Sequence, residues 1–441
     1  MKQSKRDKII DIILFGVLLL GVSAVTLTLF YRQTTGSPAL YHSDMKAYIL
    51  EMQGLDSGYE FPYPVFFKLS ALIHLFTNPE LAVAIATMLL NSLAIVLTKL
   101  AFHHLILGNV DASESVKHRP NSWLAGVIIS FVTVSLFFVS MLFPPAGIYL
   151  PGIQYNYLGV FTPNPFHNAT YMAARPFAIL AFLWFVKLLP VYEKGISKDS
   201  VVQGANIVDY IGFSVFLLLA TMTKPSFTLV LVSTAGLIML YRLIRAKFRN
   251  FVPTIQLGLC FIPTFVDLLY QFKGVFMPDD GAEGGVGFSF GEVWAQYCTN
   301  LPLAICLAVG FPLAVLVCNF KECKKNTLFL FSWQLYAVSF AEAFFLYEKG
   351  FRKFDFNFSW GYICGIFFCH FAALVVLMRT TIRETDGGWP EVPGAQGGLK
   401  GVLQSPRMRK ALVVLQWLAY LWHLACGLYY FGGIFAGKMY Y

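Results

Sequence analysis

The chain has 441 residues, of which 57% are apolar and only 13% charged, with an aromatic share of 17% and a formal net charge of +9. A soluble domain carries about 25% charged residues. The composition therefore excludes a disordered tail, a fibrous repeat, a coiled coil and an ordinary soluble enzyme. A mean hydropathy of +0.62 is that of a chain living in lipid, where an excess of Lys and Arg reports orientation instead of a nucleic-acid partner.

A bilayer core needs about 20 apolar residues per spanning helix. Runs of that kind lie near 9–30, 79–107, 122–143, 172–190, 207–223, 226–244, 251–272, 299–318, 327–347, 358–378 and 411–436. The stretch 61–77 is short, opens Phe61-Pro62-Tyr63-Pro64 and carries Lys68 and His74 in its middle. It is expected to lie on the membrane surface as an amphipathic helix.

Basic residues gather in alternate loops: Lys2, Lys5, Arg6 and Lys8; Arg242, Arg245, Lys247 and Arg249; Lys321, Lys324 and Lys325; Arg379, Arg383, Lys400, Arg407, Arg409 and Lys410. Placing all of them inside gives an all-α polytopic bundle of about eleven spans, N-terminus in and C-terminus out. A spanning 61–77 would flip every later segment. The chain reads as a single membrane domain over 1–441, its first apolar run acting as a signal anchor without a cleavage site. The glycine- and proline-rich stretch 379–410 reads as a flexible cytoplasmic linker. The larger loops face outward: 31–78 including the surface helix, 144–171, 273–298 and 348–357. Function is expected there.

None of the eight Cys forms a CxxC pair, and most lie within spans. Buried free thiols are expected, with Cys298 alone near the outer surface.

In the first outer loop, Asp44 precedes a short helical pattern, Met45 to Met52, that puts Tyr48 and Met52 on one face. A carboxylate at the outer rim backed by apolar packing suits a general base. Ser43 or Asp44 acting as a plain helix cap is the bland alternative. The stretch Thr162-Pro163-Asn164-Pro165-Phe166-His167-Asn168 delivers His167 and Asn168 to a helix start, as caps or as site residues. Arg175 follows within that helix, where a buried guanidinium needs an anion, either Asp44 or a ligand phosphate. Asn168-Ala169-Thr170 and Asn357-Phe358-Ser359 match the N-glycosylation pattern.

Lys224, in the turn Thr223-Lys224-Pro225-Ser226, either snorkels into headgroups or lines a site. Glu348, Lys349, Arg352, Lys353 and Asp355 alternate with aromatics, as an interfacial belt or as a cation cluster for a lipid phosphate. Asp279, Asp280 and Glu283 lie among glycines in a loop read as solvated or as a lid. The span interiors carry few ionisable groups, Lys99, His103 and His104 toward one end and Asp267 toward the other. No Gly/Pro-interrupted spans stand out. Polar density on one face suits an enzyme at the surface better than a path across the membrane.

Over residues 1–145 the arrangement resembles the GT-C class of membrane glycosyltransferases: a first span, then an outer loop with an acid, a Pro-rich segment and an interfacial helix. The matching residues are Ser43-Asp44, Tyr48, Gly54, Gly58 and Pro62-Tyr63-Pro64-Val65-Phe66-Phe67. The resemblance implies a polyprenyl-phosphate sugar donor, a glycan, lipid or protein acceptor, and inversion at the anomeric carbon in the outer leaflet of a cell membrane. Asp44 would be the base, directly or with a divalent ion nearby. Arg175, Lys224, Arg352 and Lys353 would answer the phosphate charge. His167, Asn168, Tyr48, Glu348 and Asp355 would bind substrate, with Tyr155, Tyr157 and Trp360 stacking on the sugar. Two other readings stand beside it. A flippase for lipid-linked glycans predicts a polar cavity reaching the midplane. A non-catalytic scaffold of an envelope complex predicts an outward apolar patch and no pocket by Asp44.

Overall fold

A computed structural model of the chain describes residues 5–108, 122–143, 158–194, 206–276, 285–385 and 405–438. Seven of its helices are long and apolar enough to cross a membrane, or up to nine if each of two bent pairs is one span. The first is α1 (Lys5–Thr35), followed by two short helices, α2 (Met45–Met52) and α3 (Pro64–His74). Then come α4 (Pro79–His103), α5 (Ser122–Leu136), α6 (Ala169–Lys194), α7 (Ile207–Thr221) and α8 (Ser226–Arg245). The bent pairs are α9 (Phe251–Leu259) with α10 (Ile262–Phe276), and α12 (Leu301–Ala308) with α13 (Gly310–Cys318); α11 (Glu292–Ala295) lies between them. The chain continues through α14 (Phe320–Cys323), α15 (Thr327–Phe345), α16 (Ser359–Thr385) and α17 (Pro406–Phe435).

Each of the eleven apolar stretches thus contains a helix or a bent pair. The short helices form for local reasons. Gly54, at φ +70°, ends α2 in the left-handed conformation, and Leu55 N–H returns to the Leu50 carbonyl in the six-to-one bond of a Schellman cap. Pro64 takes the first position of α3, where no amide is needed.

Helix α16 is the axis. Its spanning window is wholly buried, packed among α15, α13, α8 and α17. In lipid, close approach of small residues replaces the hydrophobic drive for helix association. Gly361 and Gly365, one turn apart on α16, supply it. A methyl at Gly361 would meet Val230 Cγ2 and the Ser226 carbonyl on α8; one at Gly365 would meet Ser339 Oγ and Tyr336 Cα on α15. Beyond this axis α1 packs on α4, α4 on α6 and α6 on α7.

The chain adopts the helical class expected of it, with one short antiparallel pair besides, Val286–Phe288 (β1) with Leu346–Glu348 (β2). Two expectations are corrected here. Broken helices do occur, α9/α10 bent by 51° and α12/α13 by 66°. Hydropathy runs unbroken across both bends, so a window sees single spans. The interior is also richer in polar groups than the sequence suggests. Lys99 Nζ bonds Asp11 Oδ1 at 2.8 Å and Ser130 Oγ at 2.7 Å. Deeper, Phe311 N–H at the second bend donates to His423 Nε2 at 3.0 Å. That leaves the proton on Nδ1, which donates to the Ser140 carbonyl at 2.6 Å. The ring of His370 lies 4.8 Å from that of His423.

No cysteine forms a disulfide, and the Cys298 side chain is buried. The loop acids Asp279, Asp280 and Glu283, the tyrosines Tyr155 and Tyr157, and linker residues 386–404 lie outside the described residues.

Candidate functional site

Asp44 stands at the N-terminus of α2, yet its side chain caps no amide there. Its oxygen Oδ2 accepts from Tyr48 Oη at 3.1 Å and from Asn168 Nδ2 at 2.6 Å. Both bonds land on one oxygen, and Oδ1 accepts no hydrogen bond among the described residues. Capping is therefore not what holds Asp44.

Tyr48 is fixed by its ring. It is buried, as is Met45 one turn earlier, and meets Phe61, Phe66 and Phe67 edge-on at 5.2, 5.9 and 5.8 Å. Burial, with the Asp44 charge adding, pushes its phenol well above the usual range. Tyr48 thus stays a proton donor to Asp44.

Asn168 fills both roles the sequence left open. Its Oδ1 accepts from Tyr171 N–H at 2.9 Å and caps α6, while its Nδ2 holds Asp44. Asn164 Nδ2 ties the preceding segment to the Leu136 and Val139 carbonyls, and Gln33 Nε2 donates to the Phe166 carbonyl at 2.9 Å. The segment 159–168 is buried, so it is a wall of the site and not an open loop. The Asn168 amide is committed and 2% exposed, and Asn357 donates to Glu348 Oε2 at 2.7 Å. The Asn168 amide is not displayed for glycosylation.

Lys224 does not snorkel. It is 7% exposed, and its Nζ donates to Thr170 Oγ1 at 3.3 Å while facing the rings of Trp360 at 5.0 Å and Tyr63 at 5.8 Å. The turn carrying it is held from two sides, by Val65 N–H on the Met222 carbonyl at 3.0 Å and by Gln271 Nε2 on the Thr221 carbonyl at 3.2 Å. Thr170 Oγ1 lies 3.2 Å from Tyr48 Oη. A continuous polar chain therefore runs Asp44, Tyr48, Thr170, Lys224.

His167 packs on Trp360, ring centres 5.4 Å apart. Burial above all, then His42 and Lys224, pushes its imidazole down to about 3, so it is neutral near pH 7. Arg175 departs from expectation. It reaches neither Asp44 nor another carboxylate among its bonds, but donates Nη2–H to the Pro163 carbonyl at 2.8 Å. Its guanidinium sits against the rings of Phe137, Tyr171 and Phe367 at 5.3, 5.1 and 5.2 Å.

The remaining candidates form a second cluster. Glu348 is buried in β2 and holds Asn357, and Lys353 pairs with Glu292 at 2.5 Å. Asp355 ends the short helical turn Gly350–Asp355; the side chain of Arg352 lies outside the described residues. The chain itself ties this belt to the first cluster, where Trp360 N–H donates to the Asn357 carbonyl.

Of the residues singled out from the sequence, Asp44, Tyr48, Asn168, Lys224 and His167 come together here, while Arg175 bonds the Pro163 carbonyl beside them. Sequence reasoning missed Thr170 as the hub, though a threonine two residues past a cap in a buried run was the available signal. Among the described residues no group of three His, Cys, Asp or Glu could hold a metal. The donor set around Asp44 is thus a single carboxylate with amide and hydroxyl neighbours, which does not fit a protein-held divalent ion.

The fold and these long apolar helices define a helical membrane protein of several spans. No protein-family model, curated protein or solved structure matches the chain.

Proposed function

We propose that the protein is a membrane glycosyltransferase working on the outer face of a cell membrane, with Asp44 as general base. The observation that carries the reading is the state of the Asp44 carboxylate. Two donors saturate Oδ2 and fix its plane, leaving Oδ1 as the basic oxygen. An acceptor hydroxyl on a glycan, lipid or protein gives its proton to Oδ1 as its oxygen attacks the anomeric carbon. The bond from that carbon to the phosphate oxygen breaks, and the electron pair leaves with a polyprenyl phosphate. The attack comes from the face opposite the leaving group, so configuration inverts.

Lys224 stands at the other end of the chain through Tyr48 and Thr170, placed to answer the charge growing on the leaving phosphate. His167 and Trp360 form the adjoining wall. About eleven spans with the N-terminus inside and the C-terminus outside complete the reading. It draws on the alternate placement of Lys and Arg and makes membrane lipids, with no nucleic acid, the surroundings.

The test is transfer from a panel of polyprenyl-phosphate sugars by wild type and Asp44→Asn. A folded Asp44→Asn protein retaining full transfer would sink the mechanism.

A second reading, translocation of a lipid-linked glycan, draws on the two bent helices and on His423 satisfying the amide at one bend. Interrupted helices with polar groups at their break are a transporter device. Vesicles carrying the protein, with a fluorescent lipid-linked sugar exposed to dithionite quenching, discriminate. Fast full quenching in the absence of transfer would favour translocation.

A further inference from the structure

Helix α6 starts beside Asp44 and α8 starts beside Lys224. The far ends of both, with the starts of α7 and α9, therefore lie at the opposite end of the bundle. There α7 and α9 are joined by the rings of Phe213 and Phe261 at 5.2 Å, with Phe185 of α6 at 5.3 and 6.3 Å from them. Beside that joint an open groove of about 400 Å³ is lined by Ile207, Tyr210, Ile211, Ser214, Gln256 and Leu259.

Ile207, Ile211 and Leu259 are more than half exposed, as suits a surface facing hydrocarbon. The other three side chains do not suit a bare one, since they bring two hydroxyls and an amide. Gln256 Oε1 is buried with no hydrogen-bond partner, a costly state within a bilayer. Turning the amide into the groove exchanges that state for a bond to a ligand.

The rim is basic. Among the described side chains of α6 to α9, this end carries Lys187, Arg242, Arg245, Lys247 and Arg249 against Asp209, which pairs with Lys187 at 2.7 Å. Lys247 and Phe248 both take the left-handed conformation, at φ +50° and +61°, uncommon for residues with side chains. The turn they make leaves Lys247 and Arg249 exposed just before α9. Basic side chains at the mouth of a groove between spanning helices complement an anionic headgroup.

We propose that this groove is a binding site for one anionic glycerophospholipid of the leaflet opposite Asp44. An acyl chain lies along Ile207, Ile211 and Leu259. The glycerol esters accept from the Gln256 amide and the neighbouring hydroxyls, and the phosphate meets Lys247 and Arg249. The lipid braces α7, whose other end leads into the turn that carries Lys224. The site stands whether or not the transfer reading does.

The full chain, stripped of lipid in a neutral detergent, is titrated with phosphatidylglycerol or with phosphatidylcholine of the same acyl chains. Native mass spectrometry and thermal unfolding follow the binding. One phosphatidylglycerol per chain should be retained, with severalfold preference over phosphatidylcholine, and should raise the unfolding midpoint by several degrees in a saturable way. Gln256→Leu should cut that shift without lowering the lipid-free midpoint. The double variant Lys247→Gln, Arg249→Gln should erase the preference between the two lipids. Equal retention of both lipids by wild type would overturn the proposal, as would an undiminished phosphatidylglycerol shift in both variants. Glycerol phosphate stabilising as well as the lipid would overturn the part given to the groove, and a lipid-free dimer would assign this face to a second copy of the chain. Should the double variant fail to fold, the wild-type preference and Gln256→Leu decide.

Discussion

The side-chain amide of Asn168 donates to Asp44 Oδ2 at 2.6 Å across 124 residues of sequence, while its carbonyl oxygen caps α6. One side chain thus fixes both the carboxylate and the start of the helix that carries Thr170 and Arg175. Asn168→Asp keeps the cap oxygen and removes the donor, so the helix start should survive while Asp44 loses its anchor. Transfer should fall by about 100-fold, the scale of an ångström-sized misplacement, and the unfolding midpoint should fall more at neutral than at acid pH, because two carboxylates, one of them buried, then face each other. Asn168→Ala loses both functions, adding about 1 kcal/mol for the cap to about 1.5–3 kcal/mol for a bond to a charged group. Thermal unfolding in detergent separates the two variants.

Tyr48 contributes by ring and by hydroxyl, and two substitutions divide them. Tyr48→Phe keeps the three edge-on contacts and removes the bond to Asp44. It should cost about 0.5–3 kcal/mol of stability and lower transfer through a misaligned carboxylate. Tyr48→Ala also empties the aromatic pocket and should cost about 3–5 kcal/mol. Equal losses for both would mean that the hydroxyl alone matters.

His167 sets an acid limit. Its folded value is about 3 against an ordinary 6.5, so below pH 6.5 the unfolded chain binds a proton that the folded chain refuses. Its contribution is complete above about pH 6.5 and falls as the pH drops toward 3, by up to about 1.4 kcal/mol per unit. His167→Gln should flatten the dependence of the unfolding midpoint between pH 6.5 and 4. A midpoint difference between wild type and variant that does not vary with pH there would show that His167 does not stay neutral.

Gly365 tests the packing of the axis. A valine there would drive methyl groups into Ser339 and the Tyr336 backbone and separate α15 from α16. The expected cost is about 1–3 kcal/mol, read as a lowered midpoint and reduced yield. Gly365→Ala should cost less, because Ser339 Oγ ends a short side chain that rotates.

Local elements were legible in the sequence because they depend on local chemistry. The pattern Met45 to Met52 is a helix over those very residues, and the run opening at Phe61 became a helix beginning at Pro64. Asp44 as a cap was a fair local guess, and a partner 124 residues away overrode it. Arg175 needed its charge answered, and the sequence pointed to a carboxylate or a ligand phosphate; the Pro163 carbonyl and the rings of Phe137, Tyr171 and Phe367 do part of that work. The polar interior escaped because hydropathy averages hide a lone His370 or His423 within an apolar run. The bend at Val309 did carry a signal, Gly310 and Pro312 with only Phe311 between them, which the continuous hydropathy outweighed.

The amide of Val65, at the start of α3, holds the carbonyl of Met222 in the turn that aims Lys224. If α3 rides in the headgroup layer, that single bond is a tether between the lateral pressure of the leaflet and a buried ammonium. A thicker or more crowded bilayer would then tug on the site without touching it, and the protein's output would depend on the composition of the lipid around it as well as on its substrates.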